Sequence, residues 1–145
     1  MTSQLNVDTI VDKAGSGGTN VKMANTSTYV SDGGNATQNT VQSLTKSWIN
    51  FNGTGTIAIR DSLSVSSLSD IGTGEYSVTI ASAMGNTNYA VIGAVGRNAN
   101  DGSMFSNPVG TTANTTTAQR VKGLYVDGGP IDMTQMCSSL LGDLA

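Results

Sequence analysis

From Thr40 to the end of the chain, apolar and polar residues alternate in short runs separated by turn formers. Tyr76, Val78 and Ile80 alternate with Ser77 and Thr79, and Leu63 and Val65 alternate with serines. A two-residue period describes a strand with one buried and one wet face. Trp48, Phe51, Ile57 and Ile59 flank Asn52-Gly53. That dipeptide is the strongest short-range hairpin signal and predicts a turn with positive φ at Gly53. Strands are predicted over 47–52, 56–61, 62–69, 75–81, 89–95, 102–105, 115–125 and 131–139. Every connection between them holds Gly, Asn or Asp, which tolerate positive φ or bond locally to the backbone. No helical period runs beyond about two turns; 41–44 reads as one helical turn or a lead-in strand. Many short strands with regular turns predict an all-β fold, an antiparallel sandwich or a partly closed barrel.

The first 40 residues read differently. A short strand is expected over 4–11, with Leu5, Val7 and Thr9 on one face and Ile10 and Val11 at its end. A Gly/Ser turn over 14–20 follows, and 21–23 pairs back in a hairpin. Residues 25–39 are rich in Ser, Thr, Gly and Asn, with Tyr29 and Val30 their large apolar side chains. Such a segment buries too little to order itself and needs a neighbour. The chain therefore divides into an extended docking arm, 1–40, and a β-sandwich-like domain, 41–145. In the arm, Leu5, Val7 and Ile10 are the residues expected to add a strand to a neighbouring chain.

Composition narrows the picture. Among 145 residues, 12% are charged and 37% apolar, and Gly, Ser, Thr and Asn make up nearly half. A thin monomer core follows, and association is the natural remedy. The net charge is −3, and the seven basic residues are scattered. There is no basic stripe for nucleic acid and no polybasic amphipathic stretch for a membrane surface. No apolar run approaches the roughly 20 residues of a membrane span. The start, MTSQLNVD, lacks the features of a signal peptide, so synthesis and retention in a cytosol are expected.

Candidate chemistry is sparse. The chain has no histidine and a single cysteine, Cys137, which reads as a small apolar residue on a strand. Gly15-Ser16-Gly17-Gly18 has no following lysine and no helix to cradle a phosphate, so it reads as a turn. Asp8, Asp12, Asp32, Asp61, Asp70 and Glu75 form no paired-carboxylate motif of the kind a glycosidase needs. Asp127-Gly128-Gly129-Pro130 is a turn lacking the alternating oxygen ligands of a calcium loop. The sequons at Asn25, Asn35, Asn52 and Asn114 follow from composition. Trp48 and Tyr76 could stack on sugar, but their strand positions favour the core. Arg60 is expected in a surface or intersubunit ion pair. No catalytic group, metal or cofactor is expected.

One stretch carries a resemblance. Lys46 to Ser62, KSWINFNGTGTIAIRDS, followed by Gly72 to Val78 and by Asn88 to Ala90, resembles the C-terminal domain of tail-fibre and other virion appendage proteins of tailed phages. The closing Leu141 to Ala145 and the opening Gln4 to Ile10 are similar to the ends of such chains. The resemblance implies a non-enzymatic homotrimer in the virion: a short fibre- or spike-like appendage of tail or neck acting in host attachment. A capsid decoration protein, a trimer cementing the head, is the alternative. Trp48, Phe51, Ile57, Ile59, Tyr76 and Val78 are the expected core or trimer residues. Other virion proteins, reached through the arm, and a host surface glycan or protein are the partners implied.

Overall fold

The computed structural model describes residues 26–30, 34, 36–97, 102–108 and 113–145. The arm residues Leu5, Val7 and Ile10 lie outside the described residues. Ahead of the main body, β1 (Thr28–Val30) and β2 (Thr37–Asn39) pair antiparallel within the segment read as extended or irregular. One helical turn follows, α1 (Thr40–Ser43), because the Asn39 side chain accepts the Gln42 amide at 2.8 Å and caps it.

The body is two four-stranded antiparallel sheets. One has the order β4-β3-β10-β7, made of β3 (Thr45–Asn52), β4 (Ala58–Leu63), β7 (Ala90–Gly96) and β10 (Gln135–Leu141). The other has the order β5-β6-β9-β8, made of β5 (Val65–Gly72), β6 (Glu75–Ile80), β8 (Ser103–Ser106) and β9 (Ala118–Tyr125). All eight strands fall within a few residues of their predicted positions, and the fold is all-β. The chain leaves the first sheet for the second at Ser64, whose φ of 53° makes the corner between β4 and β5.

Period-two alternation builds the core. Ile49 and Phe51 of β3 and Met136 of β10 meet Tyr76 and Val78 of β6 and Val121 of β9, all nearly inaccessible, with Met133 beside them. The rings of Phe51 and Tyr76 meet edge to face across the two sheets, 5.1 Å apart at 71°. That geometry adds about 0.5–1.5 kcal/mol to the burial itself. A second cluster, Ile80, Met84, Tyr89 and Leu140, closes one end. There the C-terminal segment is tied down by Gly85 N to Asp143 O (2.8 Å) and Ala145 N to Ala83 O (2.9 Å).

Two expectations need correcting. Gly53 does not carry the positive φ of the β3–β4 hairpin; Gly55 does, at 61°. Gly53 is required for a different reason. A Cβ there would lie 2.5 Å from Tyr76 Oη and 3.1 Å from Met133 O, so the position has no room for a side chain. Trp48 was expected in the core, and Ile59 in the core or at a trimer contact. Ile49 and Phe51 take the inward positions of β3, so Trp48, one residue away, points outward and is half-buried. Ile59 lies beyond a bulge between Asn50 and Phe51 and is 42% exposed.

Candidate functional site

The outer face of the β4-β3-β10-β7 sheet holds a shallow groove of about 420 Å³. Register explains its make-up. Leu63, Trp48, Ser139 and Ile92 stand in one row across all four strands. Asp61, Asn50, Cys137 and Ala94 stand in the next row, two residues along each strand. The groove runs over the β3, β10 and β7 members of both rows. At about 4.8 Å between strands, each row spans roughly 14 Å. Large apolar groups stand at the Trp48 and Ile92 walls, and small or polar groups line the floor between them. Leu63 (48% exposed) and Ile92 (58%) make an apolar row that continues beyond the groove.

The rim beside β4 is fixed by Arg60. Its guanidinium donates to Phe51 O (3.3 Å) and Thr134 O (2.6 Å), with a longer contact to Asn50 Oδ1 (3.5 Å). It thereby fastens β4 to the segment that leads into β10. Asp61 accepts from the amide of Ser62 at 2.8 Å. On the floor, Gln135 Nε2 donates to Cys137 Sγ at 3.7 Å. Cys137 is thus a strand residue, as expected, though it faces the groove.

The remaining sequence candidates serve local structure. Phe51, Tyr76 and Val78 are inside, and Ile57 packs on the core from its edge. Asp70 holds the Gly72 amide at 3.0 Å in the β5–β6 turn, and Glu75 pairs with Lys122. Asp127 holds the Gly129 amide at 3.0 Å, the turn expected there. Among the described residues no three metal-ligating side chains cluster, and no helix is long and apolar enough to cross a membrane. A second hollow, also about 420 Å³, lies by Gln42, Asn86, Asn88, Tyr89 and Asp143. In it, Gln42 Nε2 donates to Asp143 Oδ2 at 2.9 Å.

Past the end of β3, at Gly53, sits a partly buried polar knot. Tyr76 Oη lies 2.7 Å from Gly53 O and 2.9 Å from Asp132 Oδ1, and Asp132 Oδ1 also accepts the Gly74 amide at 2.7 Å. Burial, then the hydrogen bond and negative charge of Asp132, hold the phenol well above its ordinary pKa. Tyr89, bonded to Thr115 O and Ala118 O, is pushed up to about 12 by burial. Both are structural phenols, locked neutral.

Sequence reasoning weighed Trp48 as a sugar-stacking residue but favoured the core, and it missed Asn50, Ile92, Ala94, Cys137 and Ser139 as groove residues. Only Asn50 carried a signal, two residues from Trp48 on one strand; the others reach the groove through long-range register. The chain matches no protein-family model, no curated protein and no solved structure.

Proposed function

We propose that the chain is a structural component of a tailed-phage virion, a short homotrimeric appendage of tail or neck that works in host attachment without catalysis. The observation that carries this reading is the position of Trp48. The tryptophan of the phage-like run stands outward on a stiff four-stranded sheet, beside Asn50 and over a groove of about 420 Å³. A flat aromatic ring beside amide and hydroxyl groups is suited to gripping a host surface glycan or protein, because one end is apolar and the other wet. The groove floor is set by strand pairing, so the surface is ready-made and little ordering entropy opposes binding.

The test is made on particles. Quantitative gel staining of purified virions should give tens of copies, the stoichiometry of an appendage. Hundreds of copies would move the protein to the head, as a decoration trimer. Its absence from particles would sink the reading altogether. In the same system Trp48→Ala should slow adsorption to host cells at least tenfold while particle yield and copy number stay unchanged. Host capsule or lipopolysaccharide incubated with the pure protein should keep its chain length.

A further inference from the structure

We propose that β7 is a docking edge for the same strand of a second copy, two chains pairing β7 with β7 antiparallel about a two-fold axis at Gly93. Among the described residues β7 is hydrogen-bonded to β10 on one side only and forms the edge of its sheet. Its seven residues offer roughly 23 Å of backbone edge that bonds no further strand among the described residues, although β8 packs beside it with the Phe105 ring on Gly93. Natural edges are blunted by charge, bulges or brevity, because an open ladder recruits another strand. The other three edges follow that rule. Strand β4 carries Arg60, Asp61 and a bulge, β5 carries Asp70 and two register shifts, and β8 is four residues long. Strand β7 has none of these devices. It reads Ala-Val-Ile-Gly-Ala-Val-Gly, without charge or proline, and pairs with β10 in unbroken register.

The sequence of β7 also says what covers it. Laid antiparallel on itself about Gly93, it places Val91 opposite Val95, Gly93 opposite Gly93, and Ile92 opposite Ala94. Residues of one face meet residues of the same face, and on the outer face each large side chain meets a small one. Ile92, 58% exposed in the single chain, would lie against the partner's copy of Ala94. Cross-strand pairs of this kind are the unit of sheet stabilisation. The inner face is compatible as well. Gly93 leaves the seat that the Phe105 ring occupies, since a Cβ there would lie 2.3 Å from the ring. The two-fold contact is self-complementary, and it doubles whatever assembly the rest of the chain makes: monomer to dimer, or trimer to hexamer.

The test uses the full chain. Light scattering from 1 to 100 µM should give an even number of copies. Ile92→Lys/Ala94→Lys, which changes only outward side chains, should halve that mass. Register is read by cysteines in a Cys137→Ser background. A mixture of Ile92→Cys chains and Ala94→Cys chains should oxidise to cross-linked dimers at least tenfold more than either alone, because Ile92 then stands about 8 Å from its own symmetry mate. An odd copy number, a folded monomer at 100 µM, or cross-linking without preference for the mixture would overturn the proposal. Should the lysine variant fail to fold, the cysteine experiment decides. A plain trimer would refute the β7 contact and leave the appendage reading standing, whereas absence from virions would do the reverse.

Discussion

Tyr76→Phe removes one oxygen from the largest fully buried side chain among the described residues and leaves its packing on Phe51 in place. Tyr76 is fully buried, and its hydroxyl links Gly53 O at 2.7 Å to Asp132 Oδ1 at 2.9 Å. The one phenolic hydrogen is shared between these two acceptors, so its loss costs one hydrogen bond divided between a buried carbonyl and a carboxylate 56 residues away in sequence. A hydrogen bond to a charged group contributes about 1.5–3 kcal/mol, and an orphaned buried acceptor costs about 1–3 kcal/mol. Because Asp132 keeps the Gly74 amide at 2.7 Å, the lower part of that range applies. We expect a loss of about 2 kcal/mol, or roughly 6 °C in Tm at about 3 °C per kcal/mol for a chain of this size. Urea unfolding should show a lower midpoint and an unchanged slope. A double-mutant cycle with Asp132→Ala should give a coupling above about 1 kcal/mol. Tyr76→Phe within about 0.3 kcal/mol of wild type, or strict additivity in the cycle, would refute the knot as a source of stability.

The remaining predictions draw on the same geometry. Gly53→Val should cost more than about 2 kcal/mol through its clash with Tyr76 Oη, whereas Gly55→Val, with positive φ and open space around it, should cost about 1 kcal/mol; denaturant titration giving the reverse order would overturn the reading of the hairpin. Raising the pH should unfold the protein between about pH 10 and 12. Unfolded tyrosines lose their proton near 10 while Tyr76 and Tyr89 hold theirs, so the native state binds more protons and stability falls by about 1.4 kcal/mol per pH unit for each; a Tyr76→Phe/Tyr89→Phe chain should show a flatter profile in pH-dependent melting. Trp48→Ala should cost under about 1 kcal/mol, against about 3–5 kcal/mol for Phe51→Ala, because only Phe51 is fully inside; equal costs by thermal melting would place Trp48 in the core after all.

Strand positions were legible because turn chemistry and period-two alternation agreed from Ser47 onward. What could not be read was facing. In β3 the apolar residues Trp48 and Ile49 are adjacent, so alternation alone is satisfied by either face. The choice is made by register with β10, which sets Ser138 opposite Ile49 and Ser139 opposite Trp48. Gly53 illustrates a second limit. The dipeptide signalled a turn, but the demand on the glycine came from Tyr76, 23 residues later. The knot escaped notice because Asp132 lies in a stretch expected to be strand, without any local motif. The β1–β2 pairing escaped too, since Tyr29 and Val30 are its large apolar residues and both stay exposed.

The outer face shows why a chain this polar keeps a tryptophan outside. Leu63, Trp48 and Ile92 come from three strands and meet in one row, with Ser139 of the fourth strand between Trp48 and Ile92. No single strand carries more than one member of that row, so each strand reads as an ordinary amphipathic segment. The apolar surface exists only once the sheet has formed. An unfolded or partly folded chain therefore presents no concentrated sticky segment on this account, while the folded chain presents a broad one. Strand β7 is the exception, a seven-residue apolar run whose outer edge bonds no strand among the described residues even after folding. Pairing it would cover an edge that carries no charge, proline or bulge. The same sheet would then use its face for recognition and its edge for assembly.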